Sequence, residues 1–471
     1  MVEEEFEDDE FRDRIATVNE DGSRSWIFPK KPSGKFYNYR KIVSYVLLVL
    51  LFAAPHIKIG GEPLLLFNVL ERKFVIFGKI FWPQDLYLFA IAFVIGVIFV
   101  ILFTIIYGRL FCGWICPQTI FMEMVFRRIE YWIEGDWTHQ KKLAAAPWKA
   151  DKIRKRVLKH LIFWIISFLI ANTFLAYIIG ADQLWEIQTG KFSEHVGGFI
   201  SIVIFTSVFY LVFTRLREQV CTTICPYGRL QGVLLDENSL VVSYDHKRGE
   251  GKEGRGRFRK NEDRAATGKG DCIDCNQCVN VCPTGIDIRN GTQLECVNCT
   301  ACIDDCDHMM EAVGLEKGLI RFVSENGIKD GTRFQWTRRV KSYTALLVAL
   351  LAILVVLLVT RNDFQATIMR QRGTTYHITK DGNIGNIFEL NLTNKTKTSY
   401  DVVLKTDDPD AQIDMVVESI QLEEQGHLKE RFVVRMPLSR MKSGKMDIEV
   451  IVYGNGKEIE RVRTKIIGPL I

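Results

Sequence analysis

The chain has 471 residues, 61 Lys and Arg against 56 Asp and Glu for a formal net charge of +5, 48% hydrophobic residues and 12 cysteines. That length allows two or three domains, and the near-balanced total charge says little, so the information lies in local charge asymmetry. The cysteines exclude a disulfide-stapled secreted protein, because all lie between Cys112 and Cys306 in four tight clusters and the last 165 residues have none, which is the pattern of metal or cofactor ligation.

In chain order, the first residues are acidic (Glu3, Glu4, Glu5, Glu7, Asp8, Asp9, Glu10) and lack the basic start and apolar core of a cleavable signal. Residues 1–38 read as a cytoplasmic tail. A hydrocarbon layer of about 30 Å needs about 20 apolar residues. Five segments meet that need: Tyr39–Ile57, Leu86–Tyr107, Leu158–Ile179, Val196–Thr214 and Val340–Thr360. Lys30, Lys31, Lys35, Arg40 and Lys41 precede the first span, and ten basic residues from Arg109 to Arg156 separate the second and third. The loop Ala181–His195 holds only Lys191. By the positive-inside rule this places the N-terminus inside and the C-terminus outside. Loop Lys58–Asp85 is then external, with apolar runs Leu64–Phe67 and Phe74–Phe77 that predict short strands or a re-entrant piece.

Residues 39–243 thus form a four-helix membrane region. The stretch 244–270, rich in Gly, Lys and Arg, reads as a flexible basic linker attracted to lipid headgroups, with Asp245 and Glu250 solvated. One aromatic, Phe258, is too few for stacking on nucleic-acid bases, so no nucleic acid is expected as a partner. Residues 271–339 carry the chemistry, 340–360 are the fifth span, and 361–471 alternate as strands do: Phe388, Leu390, Leu392; Val402, Leu404; Phe432, Val434; Ile448, Val450, Val452. The turn signals Asp381-Gly382-Asn383, Asp407-Asp408-Pro409-Asp410, Lys442-Ser443-Gly444 and Gly454-Asn455-Gly456 separate these runs, predicting about seven short strands in an immunoglobulin-like sandwich without a disulfide.

The most specific motif is Cys272-x2-Cys275-x2-Cys278-x3-Cys282-Pro283, repeated 24 residues later as Cys296-x2-Cys299-x2-Cys302-x3-Cys306. This is the spacing of bacterial two-cluster ferredoxins, in which the fourth cysteine of each run ligates the other cluster. Cys272, Cys275, Cys278 and Cys306 are therefore expected to hold one [4Fe–4S] cluster, and Cys296, Cys299, Cys302 and Cys282 the second. Zinc would want a single pair of C-x2-C knuckles rather than eight cysteines in this order. Asp307 stands where the first repeat has Pro283, which leaves that turn open.

A second motif, C-x3-C-P, occurs as Cys112–Pro117 after the second span and as Cys221–Pro226 after the fourth. Cysteines at i and i+4 share a helical face, so Cys112, Cys116, Cys221 and Cys225 are expected at one membrane depth, where they could converge as a four-sulfur site. Thiolates select Cu(I), zinc or iron–sulfur over hard ions, and a thiol pair is also a two-electron redox couple. The alternative is that they are inert buried residues. No two of the eight histidines face each other at i, i+4 within a span, which argues against bis-histidine haem. His56 and His160 read as interfacial, and His308-Met309-Met310 as packing beside Cys306 rather than as copper ligands.

With Trp26-Ile27-Phe28-Pro29 and Tyr244-Asp245…Arg248-Gly249-Glu250, these motifs resemble the CcoG/FixG family, accessory proteins of cbb3-type cytochrome c oxidase, over nearly the full length. The fold expected is membrane α-helical, about five spans, with a cytoplasmic ferredoxin-like insert and a periplasmic all-β immunoglobulin-like sandwich. The resemblance implies a multi-pass protein of the bacterial inner membrane that reduces Cu(II) to Cu(I) for oxidase maturation, with Cys112, Cys116, Cys221 and Cys225 holding copper. Its partners would be membrane lipid, copper ions, and copper-delivery and oxidase assembly proteins. Its oligomeric state stays open, a homodimer being one form. A quinol-oxidising membrane ferredoxin shares the C-x3-C-P pair and is the first alternative, and a non-enzymatic assembly scaffold is the second.

Overall fold

The computed structural model describes residues 17–469 except 19, 20, 22, 260, 261, 263, 333, 362, 363, 372, 374, 375, 380, 381, 397, 416–419, 425, 442 and 443. The acidic stretch Met1–Asp13 and parts of the turns at 381 and 442–443 therefore lie outside the described residues. The chain divides into two compact units: 1–78 with 86–354, and 79–85 with 355–471.

Five helices are long and apolar enough to cross a membrane: α1 (Lys35–Ala53), α2 (Leu86–Tyr107), a third from Ala150 to Ile179, a fourth from Val196 to Leu216 and a fifth from Arg338 to Val359. At 1.5 Å per residue, the 22 residues of α2 reach about 33 Å, the thickness of a bilayer core. Phe93, Leu161, Ile200 and Val348 stand exposed on these helices, as lipid-facing side chains do. Loop Lys58–Asp85 forms strands as expected: β1 (Leu65–Asn68) pairs antiparallel with β2 (Lys73–Ile76), Leu66 opposite Val75. Between the second and third spans lie α3 (Leu110–Trp114), a short helix Pro117–Ile120, a π-helical segment Phe121–Phe126, α4 (Arg127–Ile133) and α5 (Trp137–Ala145). The third span is α6 (Ala150–Ile179), the fourth begins as α7 (Val196–Leu211), and α8 (Pro226–Leu234) follows the second C-x3-C-P motif. At the basic ends of α6 and α7 the spans are sealed by aromatic rings: Phe126 stacks on Phe213 at 4.4 Å and meets Phe163 edge-on at 4.7 Å.

The linker reading of 244–270 is corrected. Strand β3 (Val241–Tyr244) pairs with β4 (Ile320–Val323), Tyr244 opposite Ile320, so the expected boundary at 243/244 cuts a buried strand. Asp245 is buried, caps the next turn through Arg248 N at 3.1 Å, and pairs with Arg321 at 2.8 Å. Tyr244 donates to Glu250 at 3.0 Å, and Arg264 is buried, donating to the carbonyls of Gly270 (2.7 Å) and Cys272 (3.0 Å). Basic composition signalled solvation, but the pairing of β3 with β4, the Asp245–Arg321 ion pair and the carbonyl contacts of Arg264 make this stretch part of the ferredoxin body.

The second unit is an antiparallel sandwich. Strands β5 (Phe364–Arg370), β6 (His377–Ile378), β7 (Asn383–Asn394), β8 (Tyr400–Thr406), β9 (Gln412–Met415), β10 (Ile420–Leu422), β11 (His427–Pro437), β12 (Lys445–Gly454) and β13 (Lys457–Ile467) exceed the expected seven among the described residues alone. One sheet runs β9-β11-β7-β5 with β6 beside β7, the other β10-β8-β12-β13. The expected turn at Gly454-Asn455-Gly456 joins β12 to β13, with Asn455 and Gly456 at φ 51° and 79°, which suits a type I′ hairpin. Phe388, Leu390, Leu392, Val402, Val434, Val450 and Val452, all read as inward from alternation, are fully buried. Phe388 stacks on Phe432 at 5.6 Å. Phe388→Ala should cost about 3–5 kcal/mol, measured as lost stability in thermal or denaturant unfolding; a cost near zero would mean that the core collapses around the gap. Asp85, buried in the same unit, is held by Arg361 and Lys395, each at 2.7 Å.

Candidate redox site

The 24-residue repeat is written in the backbone. Asp274 and Asn298 have φ of 51° and 52°, Asn276 and Thr300 55° and 67°. These left-handed residues, favoured by Asn and Asp, reverse the chain between successive cysteines, and a helix then starts in each repeat. The first runs only Gln277–Asn280, closed by Pro283, whereas the second, α9 (Ala301–Val313), continues through Asp307. Replacing proline by aspartate thus settles the turn that the sequence left open: Asp307 keeps the helix and accepts from Gly318 N at 2.8 Å. Met310 is buried in this core with Met309 packed against it, the packing reading of that stretch.

All twelve cysteines are free. Burial pushes the Cys306 thiol up, as do its neighbours Cys278, Cys275 and Cys272. Burial likewise raises Cys302 well above the ordinary range, reinforced by Cys299, Cys296 and Cys282. Cys278 and Cys296 are pushed up to about 12, chiefly by burial. Each set of sulfurs is enclosed in apolar walls, and Val242, Ile286, Ile288 and Val297 line a small cavity with Cys278, Cys282, Cys296, Cys299 and Cys302. Buried thiolates demand positive charge. Among the described residues, no three Cys, His, Asp or Glu side chains are grouped so as to hold a single metal ion. The donor sets fit the larger iron–sulfur cubane: Cys272, Cys275, Cys278 and Cys306 would hold one cluster, and Cys282, Cys296, Cys299 and Cys302 the other.

The two C-x3-C-P motifs share a local geometry that differs from the expected continuous helix. Cys112 lies in α3 and Cys221 in a π-helical turn, Val220–Ile224. Cys116 and Cys225 are extended, with ψ of 124° and 113°, and each sits just before a proline that opens the next helix. A residue before proline is driven out of the α region, and proline suits the first helical position. Each extended cysteine donates its N–H five residues back, Cys116 to Phe111 at 2.9 Å and Cys225 to Val220 at 2.8 Å. The cysteines of a pair therefore do not share one helical face. Cys112 is buried and the other three are half-buried. Burial raises the Cys221 thiol to about 12, with Cys116 and Cys112 adding to the rise, so these three thiols are electrostatic neighbours. The four do not form a ready-made metal-ion site among the described residues.

The first motif is docked onto the ferredoxin. Cys112 packs with Val281, Val297, Cys299 and Ala301 in one apolar cluster, with Cys302 at its edge. Arg40 Nε donates to the Gly113 carbonyl at 2.7 Å, and Trp114 Nε1 to that of Asn298 at 3.3 Å. Gly113 lies so close to Val297 and Asn298 that no side chain fits. From the other side the Asp304 carboxylate of α9 accepts from Phe36 N (3.1 Å) and Tyr37 N (2.7 Å), a negative charge at the N-terminus of α1. Lys30 pairs with Asp305 at 2.9 Å and donates its backbone N–H to Asn280, so the chain at Lys30, just before α1, is bound to the ferredoxin.

Sequence reasoning missed the polar residues that set this geometry. Arg109 Nε donates to Gln231 at 2.8 Å, Arg109 also reaches the Leu294 carbonyl, and the Cys112 thiol donates to Gln231 at 3.3 Å. Arg217, at φ 51°, turns the chain into the second motif and grips Glu130 with both guanidinium arms at 2.7 Å. Lys159 bridges Glu130 (3.5 Å) and Glu134 (2.9 Å), Arg127 pairs with Glu123 at 2.7 Å, and Arg24 with Glu218 at 2.7 Å. A signal existed: an arginine stands three or four residues before the first cysteine of each pair, Arg109 before Cys112 and Arg217 before Cys221.

Membrane-length helices, two interleaved sets of four free cysteines and a sandwich define an iron–sulfur electron-transfer protein that carries two [4Fe–4S] clusters. Family models agree: a 4Fe-4S binding domain matches residues 89–140, a 4Fe-4S dicluster domain 216–325, and the IG-like fold at the C-terminus of FixG 354–469. The chain is 34% identical to protein RdxA of Cereibacter sphaeroides over 385 residues, 79% of this chain and 80% of that one. To RdxB of the same organism it is 33% identical over 393 residues, 80% and 81% of the two chains. It is 38% identical to the nitrogen fixation protein FixG of Rhizobium meliloti over 306 residues, 64% of this chain but only 57% of FixG's length. The chain belongs to the FixG family.

Proposed function

We propose that this protein reduces Cu(II) to Cu(I) for the maturation of a cbb3-type cytochrome c oxidase, with copper as substrate of Cys112, Cys116, Cys221 and Cys225. What carries the reading is that Cys112 shares one buried apolar cluster with Cys299, with Cys302 at its edge, which brings the first C-x3-C-P motif to one cluster's ligand set. The [4Fe–4S] clusters, when bound, supply single electrons, and one electron converts one Cu(II) to Cu(I). Thiolates favour the reduced, softer ion. Cys116, Cys221 and Cys225 are less buried than Cys112, which Arg109 and Gln231 hold in place. Basic residues clustered at one end of the spans support an inner-membrane protein with this site cytoplasmic and the sandwich periplasmic, where that unit would engage copper-delivery or oxidase assembly proteins.

The test is the quadruple serine variant of Cys112, Cys116, Cys221 and Cys225, reduced anaerobically and mixed with Cu(II) and a Cu(I)-specific chromogenic chelator. Reduction should fall by roughly tenfold or more while iron and acid-labile sulfide stay at the level of the unsubstituted protein. An unchanged rate with intact clusters would remove these thiols from the reaction.

A further inference from the structure

A cavity of about 570 Å³, within the size range of ligand sites, opens where the N-terminal end of α6 meets the segment that follows α7. It lies apart from the cysteines. Its wall carries five cations, Lys152, Arg156, Lys159, Arg215 and Arg217, against two carboxylates, Glu130 and Glu134. Both carboxylates are already engaged, Glu130 by Arg217 at 2.7 Å and Glu134 by Lys159 at 2.9 Å and Arg156 at 3.3 Å. Lys152 has only neutral partners, the carbonyls of Ala144 (3.0 Å) and Ala146 (2.5 Å). Arg215 is exposed and has no carboxylate within ion-pair distance among the described residues. Arg217 Nε is buried and donates no hydrogen bond among them, with Glu218 no nearer than 3.7 Å. Five cations thus face two carboxylates around one partly open space, an excess of positive charge that an entering anion would offset.

The setting identifies the anion. α6 and α7 are both membrane-length helices, the cavity lies at their basic ends, and Trp148 lines it as tryptophans do at a membrane interface. Basic pockets between span ends take anionic lipid headgroups. We propose that this cavity binds a phosphate-bearing anion, supplied by the headgroup of an anionic phospholipid. The copper reading is not used in this inference, so either can fail alone.

Native mass spectrometry of the full-length, cluster-loaded protein in neutral detergent tests it, with phosphatidylglycerol, phosphatidylcholine and inorganic pyrophosphate as separate probes. Phosphatidylglycerol should bind at least about tenfold more tightly than phosphatidylcholine, and R156Q/R215Q should lose that preference while K141Q/K191Q, of equal charge and outside the cavity, keeps it. R215Q alone, at an exposed position, should weaken binding in a protein with unchanged thermal unfolding. Equal binding of the two lipids, or retention of the preference by R156Q/R215Q, overturns the proposal. Pyrophosphate binding that R156Q/R215Q abolishes, without any lipid preference, upholds the anion site and overturns the lipid as its source.

Discussion

Arg217→Met should lower the free energy of unfolding by about 3–5 kcal/mol at neutral pH, the cost of breaking a buried ion pair from one side. Arg217 and Glu130 are both buried, and two parallel hydrogen bonds of 2.7 Å join them. Methionine fills similar volume but leaves the Glu130 carboxylate with Lys159 alone, at 3.5 Å. Lysine should not rescue, because one ammonium cannot supply the planar pair of donors. Burial by itself would raise the Glu130 carboxyl, yet Arg217 outweighs it and holds the carboxyl down at about 2, against 4.5 in the unfolded chain. A carboxyl depressed on folding stabilises the protein above the unfolded value, and that contribution fades as pH falls from about 4.5 through about 2. Without Arg217 the carboxyl protonates more readily in the folded state, so the variant's deficit should shrink as the solution is acidified through that window. Denaturant unfolding in detergent, followed by tryptophan fluorescence at neutral and acid pH, reads both effects. A deficit under about 1 kcal/mol at pH 7 would place the pair among solvated surface bridges.

Gly113→Val should cut Cu(II) reduction by roughly tenfold or more with the iron and sulfide content unchanged. A Cβ at this position would press into the Val297 carbonyl oxygen and lie 3.1 Å from the carbonyl atoms of Asn298. These are backbone atoms of a cysteine loop fixed by left-handed residues, so they cannot swing aside as the tip of a long side chain would. Relief has to come from lifting α3 off the ferredoxin, which costs about 1–3 kcal/mol and withdraws Cys112 from the apolar cluster it shares with Val297 and Cys299. The Arg40–Gly113 and Trp114–Asn298 hydrogen bonds should loosen with it, exposing the ferredoxin to limited proteolysis. Full activity in Gly113→Val would show that close apposition of Cys112 to this domain is not needed.

The parts of this protein that could be read in advance are those whose information is local. A run of apolar residues as long as a bilayer is thick, alternation at Phe388-x-Leu390-x-Leu392, and Asn455-Gly456 between two alternating runs each specify their structure within a few residues. The cysteine repeat is of the same kind, since spacing and Asn or Asp at the left-handed positions fix each loop. The C-x3-C-P motifs were only half legible: proline announced the break, but a helical-face argument ignored what proline does to the cysteine before it.

The sequence by itself determined the spans, the two ferredoxin loops and the sandwich, because backbone geometry and burial periodicity are set by near neighbours. Only the tertiary structure decided that Tyr244, Asp245 and Arg264 belong to a packed body, that Cys112 shares an apolar cluster with Cys299, and that Arg217 finds Glu130. Those outcomes depend on which helix ends meet. A buried charge accepts whichever opposite charge the packing delivers, from any distance along the chain, and no local pattern encodes that choice.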